Sequence, residues 1–392
     1  MELSMNILVV NAGSSSIKIA FYEYLQLELI NHYFGKVDWE EKRPHFTFFQ
    51  GEQVFKRIRL NKKTNRENLK FLFSELKTFF PGIDKIGHRI VHGGEHFKAP
   101  VIVSESVKKQ IESLKKLAPL HNPIELLCIN LAQRTWKSAL NIAVFDTAYF
   151  KDLPDVASTY PLPFELKQKN IKRYGFHGIN HEYCVREILE IEGASKAEQK
   201  IITCHLGSGC SISASLNTKC MNTSMGFTPL DGVMMGTRPG SLDPGILIYL
   251  LKNKVYNLKE LEEMLNHKSG LLGVSKLSEN MREILKKKKN HPRARLAFEL
   301  FILSVSQKIA GLMVDLGGCD HLIFTGGIGE NCAEVRQEVL KKLAFLGFKS
   351  TEDPFQAKSK CKLISLSSSL SKIWVIEACE EKAISIACQT KN

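Results

Sequence analysis

None of the ten cysteines stands in a CxxC pair; they are scattered at positions 128, 184, 204, 210, 220, 319, 332, 361, 379 and 388. That scatter argues against a disulfide framework or a structural zinc site and fits free thiols in a reducing cytosol. A GxxxxGK[ST] loop opening a helix is absent, and so is an HExxH pair, which sets aside the commonest nucleotide and zinc-protease signatures. The first residues, Met1 to Ser4, carry no basic segment leading into an apolar stretch, so no secretory signal is expected, and Met5 is an alternative start. Long hydrophobic runs are also lacking. The longest candidate, residues 296–317, is interrupted by Glu299, Gln307, Lys308 and Asp315, so an amphipathic helix is expected there and no membrane partner.

What is present points to a globular protein with an anionic partner. At 392 residues two domains are expected, and 44% hydrophobic with 24% charged residues is an ordinary globular balance. The formal net charge of +13 calls for anions, a need that nucleotides and phosphorylated metabolites meet as well as nucleic acid does. The densest basic run, Lys286, Lys287, Lys288 and Lys289 with Arg293 and Arg295 beyond, has no interleaved aromatics. It reads as a solvated helix end, and no nucleic-acid partner is expected.

The chain is organised around residues 7–22. An apolar run, Ile7 to Val10, enters a loop at Asn11, Gly13, Ser14 and Ser16, and an alternating run from Ile17 leaves it. Period-two alternation through Ile17, Ile19 and Phe21 predicts a strand after the loop. Serine hydroxyls beside exposed backbone N–H groups, with Lys18 on the outgoing strand, suit phosphate oxygens. An ordinary glycine/serine hairpin has the same pattern. Further antiparallel strands are expected at 27–34, 45–50 and 54–60, then helices at 65–80, at 105–117 and from 124.

The second half repeats this plan. Residues 200–216 again read strand, loop (His205, Leu206, Gly207, Ser208, Gly209) and strand. The acid-ending strand 141–147 has its counterpart in 321–331, which runs into a turn at Gly326, Gly327, Ile328, Gly329, Glu330 and Asn331, with a helix expected at 333–343. Two like modules in one order indicate a duplication, which would place both hairpins on one cleft. Domain bounds of 1–150 plus the C-terminal helix 381–392, and of 151–380, follow from the pattern.

Several turn-rich stretches carry competent chemistry. Arg89 and Arg238 could grip a carboxylate or phosphoryl group through forked hydrogen bonds, although a surface ion pair is the ordinary role of an arginine. Asp146 at a strand's carboxyl end suits a general base, a ligand to metal-bound water, or a strand cap. His177 and His181 have the i,i+4 spacing of a metal pair, but Gly178 lies between them and the glutamate of an HExxH pattern does not follow His177. A histidine facing developing negative charge is the better reading.

The segments NAGSSSIK (11–18), GHRIVHGGE (87–95), APLHNP (118–123), VFDTA (144–148), RYGFHG (173–178), NTSMGFTPL (222–230), MGTR (235–238) and FTGGIGEN (324–331) together resemble the acetate kinase family, collinearly from about residue 6 to 387. The resemblance implies an α/β fold of two duplicated ribonuclease-H-like domains, each a mixed sheet flanked by helices, closing on a nucleotide cleft. It also implies reversible transfer of the γ-phosphoryl group of ATP to a short carboxylate, with propionate or butyrate as alternative acceptors to acetate. Under it, Asn11 and Glu380 would organise Mg²⁺ or Mn²⁺, with Ser14, Ser16 and Lys18 near the phosphates. Arg89, Arg238 and His121 would bind the acyl substrate, His177 would stabilise the transferring group, and Asp146 is the family's catalytic acid. Residues 205–209, Asn280, Met281, Arg282 and 326–331 match nucleotide-contacting segments, and a cytoplasmic homodimer is the family's habit. The chain departs from the usual pattern at Ser208, Cys210, Asn280 and the pair Ala378 and Cys379.

Overall fold

A computed structural model of the chain describes residues 4–13, 16–26, 28–39, 44–119, 121–193, 198–351 and 360–391. The chain divides into two compact units, Met1–Tyr149 with Cys379–Asn392, and Phe150–Ala378.

The first unit holds an eight-stranded sheet of β1 (Met5–Ala12), β2 (Ser16–Leu25), β3 (Glu28–Asp38), β4 (His45–Gln50), β5 (Gln53–Arg59), β6 (Lys85–Ile90), β7 (Val101–Ile102) and β8 (Leu140–Phe145), in the order β5-β4-β3-β2-β1-β6-β8-β7. β1 is antiparallel to β2 and parallel to β6, and β6 is parallel to β8. The unbroken apolar run of β1 has its physical reason here. Ile7, Leu8, Val9 and Val10 are buried because helices cover both faces of the sheet. On one face, Leu69, Leu72, Phe73 and Leu76 of the helix Asn65–Phe79 and Cys128, Leu131 and Ala132 of Asn122–Thr135 share a core with Leu8, Val10, Ile17, Ile19, Phe46 and Phe48. The first helix starts at a capping box, with the Thr64 hydroxyl accepting from Glu67 N–H and the Glu67 carboxylate accepting from Thr64 N–H.

The C-terminal helix, Glu380–Gln389, packs on β1 and β6. Gly87 makes this approach possible, since a Cβ there would lie 2.6 Å from Ile384 Cγ2 and 2.7 Å from Cys388 Sγ. Two residues earlier on β6, the buried Lys85 ammonium donates to the carbonyls of Cys388 (3.1 Å) and Lys391, closing the C-terminal end of the helix. One strand thus fixes the helix at both its face and its end. Glu380, expected at the edge of the second domain, lies in the first unit.

The second unit holds a six-stranded sheet of β9 (Lys200–Leu206), β10 (Cys210–Leu216), β11 (Lys219–Thr223), β12 (His321–Thr325), β13 (Cys361–Leu363) and β14 (Lys372–Ile376), ordered β11-β10-β9-β12-β14-β13. Here β9 is antiparallel to β10 and parallel to β12, which is parallel to β14. The runs β3-β2-β1-β6-β8 and β11-β10-β9-β12-β14 have the same order and directions. This is the duplicated ribonuclease-H-like plan, and the two glycine hairpins occupy equivalent places in it.

Differences from the sequence expectation have local causes. The helix expected at 296–317 spans Pro292–Leu316, because the His291 ring accepts from Ala294 N–H and Pro292 takes the first helical position. Among the described residues it is long and apolar enough to cross a membrane, yet one face, including Phe301, Val305, Ile309 and Leu312, is buried in the unit's core. The helix expected to reach 117 ends at Ser113 and gives way to a 3-10 turn, Leu114–Lys116. The expected turn after β12 is a short helix, Gly326–Asn331, whose carbonyls at Gly329 and Glu330 accept from Arg336 Nη1 at 2.8 Å each. Pro244–Lys252 is a helix with no buried residue, leaving Ile246, Ile248 and Tyr249 exposed.

Candidate active site

Three parallel strands of the first unit end side by side, and each delivers one polar group at its carboxyl end. Asn11 comes from β1, Arg89 from β6, and Asp146 directly follows β8. Such strand ends are where open α/β sheets bind ligands. The Arg89 guanidinium grips Asp146 as a fork, Nη2 to Oδ2 at 2.6 Å and Nε to Oδ1 at 3.3 Å, and Nη1 reaches Asn11 Oδ1 at 3.4 Å. The Asn11 amide donates to Glu380 Oε2 (2.9 Å) and Glu381 Oε1 (2.8 Å) at the start of the C-terminal helix. Lys18 Nζ stands 3.9 Å from Glu381 Oε1. Burial opposes the Arg89 charge, but Asp146 and Glu380 outweigh it and push its pKa above the ordinary range. Asn11, Lys18, Arg89, Asp146 and Glu380 therefore form one cluster. Ser16 begins β2 and its carbonyl accepts from Gly13 N–H at 2.8 Å, whereas Ser14 lies outside the described residues.

The Asn11 side-chain oxygen and the Glu380 carboxylate are hard donors held in that cluster. They fit a small divalent cation that keeps several of its waters. No group of three or more His, Cys, Asp or Glu that could hold a metal occurs among the described residues.

Glu125 is a site group that the sequence reading missed. It is buried in the first turn of Asn122–Thr135, just after His121, and accepts from Val91 N–H at 3.1 and 3.3 Å. Burial raises its carboxyl from 4.5 to about 8, against the pull of Arg89. A carboxyl raised only in the folded chain holds its proton longer there, so its contribution to stability falls as pH rises from about 4.5 to about 8. Buried His88 and His92, lowered to about 4, act in the opposite sense: their contribution is present above 6.5 and lost as pH falls toward 4. Glu125→Gln is expected to remove the alkaline loss. Urea midpoints on either side of that window read it, and parallel slopes in variant and wild type would refute it.

In the second unit the equivalent strand ends carry the glycine loop and the histidines. β9 delivers His205 and Leu206 into Gly207, Ser208 and Gly209; β12, paired with it through Thr325 and His205, leads into Gly326–Asn331. His177, left-handed at φ 59°, turns the chain into the helix Gly178–Glu192 and stacks on His205 at a ring separation of 4.3 Å. The Asn180 amide donates to His205 Nδ1 (2.9 Å) and Thr325 Oγ1 (3.3 Å). His177 and His181 converge on the Ser211 hydroxyl, at 2.9 and 2.7 Å, in the geometry of a hydrogen-bonded pair rather than a metal pair.

Arg238 completes this half. Its Nη1 donates to Pro229 O at 2.9 Å, and it makes no ion pair among the described residues. Burial accordingly pushes its pKa down. A Cβ added to Gly209 would lie 2.9 Å from Arg238 Nη2, 3.2 Å from His177 Cε1 and 3.3 Å from His177 Nε2, so the guanidinium and imidazole tips both border a position that only glycine leaves open. The arginine loop touches the glycine loop, Gly236 N–H donating to Ser208 O at 3.2 Å. A Cβ on Gly236 would also lie 3.3 Å from Glu279 O, which brings the segment of Asn280 alongside. Exposed Asn280 caps the helix of Met281 and Arg282 by accepting from Arg282 N–H at 2.9 Å; Met281 is buried and Arg282 exposed.

Two matching sheets, each ending in a glycine hairpin, the first beside an arginine–carboxylate cluster and the second beside imidazoles and a buried arginine, define a duplicated ribonuclease-H-like protein. The model of the acetokinase family matches residues 6–386, and the chain belongs to that family. Acetate kinase of Protochlamydia amoebophila is 41% identical over 392 residues, 97% of this chain and 98% of the relative. Among solved structures, acetate kinase of Porphyromonas gingivalis superposes with a TM-score of 0.88 at 32% identity, covering 98% of this chain and 99% of that one. A propionate kinase from Francisella tularensis superposes at 0.89 with 35% identity, covering 99% and 100%. The family is one of kinases that use ATP and ADP, generally with Mg²⁺.

Proposed function

We propose that this protein catalyses reversible in-line transfer of the γ-phosphoryl group of ATP to acetate, giving acetyl phosphate and ADP. The observation that carries the reading is Arg238, a buried cation with no ion pair among the described residues, its tip beside His177. In phosphoryl transfer, positioning and charge neutralisation supply most of the catalysis, and such a pair is suited to a transferring phosphoryl group. Residues 205–209, 280–282 and 326–331 would take the nucleotide, Ser14, Ser16 and Lys18 the phosphates, and Arg89 with His121 the acceptor. Acetate is already ionised near neutral pH, so Asp146 has no proton to remove. Its role is to hold the Arg89 fork in register. Asn11 and Glu380 would hold Mg²⁺ or Mn²⁺, which supplies neutralisation of phosphate charge when bound.

Propionate or butyrate as acceptor is the second reading, favoured by the likeness to the Francisella protein named a propionate kinase. One methylene separates successive acceptors, worth roughly 1–3 kcal/mol in a pocket. Comparing kcat/KM for acetate, propionate and butyrate decides; a tenfold preference for propionate overturns the acetate assignment. The exposed apolar helix Pro244–Lys252 supports a homodimer. Sedimentation at the 44.2 kDa of a single chain would refute that.

A further inference from the structure

The buried polar network behind His177 has a direction. Ser213 Oγ lies 2.9 Å from His181 Nδ1, His181 Nε2 lies 2.7 Å from Ser211 Oγ, and Ser211 Oγ lies 2.9 Å from His177 Nδ1. Both serines belong to β10 and are fully buried. Ser213 is the end of the chain of bonds, because its side chain has no other hydrogen bond among the described residues. A buried hydroxyl proton without an acceptor is costly, whereas an unused lone pair costs far less. Ser213 must therefore donate to His181 Nδ1. A doubly protonated His181 would strand the Ser213 proton in the same way, so the His181 proton sits on Nε2 and is donated to Ser211. Having accepted there, Ser211 gives its own hydroxyl proton to His177 Nδ1.

We infer that Ser213, His181 and Ser211 form a one-way hydrogen-bond relay that fixes His177 in its Nε2–H tautomer. The tautomer follows from the network rather than from any visible hydrogen. Nε2, together with its ring neighbour Cε1, borders the space over Gly209 that Arg238 Nη2 also borders. The relay thus makes His177 a hydrogen-bond donor at that point and withholds it as a base. The three residues act through His177 and are positioning residues. The role given to His177 in transfer rests on the proposed reaction; its tautomer does not.

The test is a ¹⁵N spectrum of the full chain labelled at histidine, with His177 and His181 assigned from His177→Gln and His181→Gln. In the wild type at neutral pH, His177 is expected to show a protonated Nε2 and an unprotonated Nδ1. Ser211→Ala should let both tautomers populate, and Ser211→Thr, which keeps the hydroxyl, should restore one. In turnover, Ser211→Ala is expected to lower kcat about tenfold with KM for ATP and acetate within about twofold, the sign of an interaction used in the transition state. A wild-type His177 protonated at Nδ1 overturns the relay, and so does an Nε2–H tautomer that survives in Ser211→Ala. The ring is read whether or not acetate is phosphorylated, so failure of the relay and failure of the proposed reaction are separable.

Discussion

Arg238→Ala is expected to reduce acyl phosphate formation, measured as the hydroxamate, by about a hundredfold or more, which is roughly 2.7 kcal/mol of transition-state stabilisation. The Pro229 carbonyl anchors one nitrogen of the guanidinium, and Nη2 is held over Gly209. Nothing acidic among the described residues neutralises it, so its charge remains available to an incoming anion. For the same reason the substitution should leave stability unchanged or slightly raised, since burying an unpaired cation opposes folding. Activity and stability thus move independently, which distinguishes lost chemistry from a damaged fold. Arg238→Lys should recover only part of the rate, because an ammonium lacks the planar fork. Turnover like the wild type in Arg238→Ala would remove the proposed mechanism.

Asp146→Ala should behave in the opposite way, costing stability as well as rate. Asp146 is 0% exposed and forms a two-point fork with Arg89, whose side chain is 13% exposed. Removing one partner of a buried pair leaves the other charge uncompensated, a loss of about 3–5 kcal/mol. Arg89→Ala should be destabilising for the mirror-image reason and should also lose about a hundredfold in rate. The double variant is then the informative one. It should regain part of the stability lost by either single change, because neither member of the fork is left alone and, among the described residues, only Glu380, 3.8 Å from Arg89 Nε, loses an ion pair, and it should stay inactive. Urea unfolding of the four proteins reads this cycle. Single variants as stable as the wild type would show that the pair is not load-sharing, and an active double variant would remove both residues from the reaction.

The strand ends were legible in the sequence because a buried parallel strand must be apolar and its last residues, freed from that demand, can be polar. Asn11, Asp146, His205 and the glycines after β12 stand out on that ground alone. The duplication was legible because the two hairpins have the same alternation. Pairings were not. Arg89 read as a group open to substrate, whereas its fork is engaged by Asp146 at the end of the neighbouring strand, remote in sequence. Glu125 was hidden because an acid in a helix's first turn is also what a solvated helix prefers. Ser211 and Ser213 were hidden by the alternation itself. In an antiparallel strand a polar residue at every second position reads as facing water, yet here that face meets His177 and His181. Period-two patterning reports polarity, and it cannot separate solvent from a buried imidazole.

The grip of β6 on the C-terminal helix also has a consequence for the order in which the protein is made. Lys85 and Gly87 emerge from the ribosome early, and the helix that fills the notch between them is translated only after all of residues 150–378. All the strands of the first unit's sheet are therefore translated before Glu380 and Glu381, and Asn11 gains these carboxylate partners only after residues 150–378 have been made. Until Glu380 and Glu381 have been translated, Asp146 is the one acid of the cluster in place, and the Asn11 amide lacks the two carboxylates it donates to.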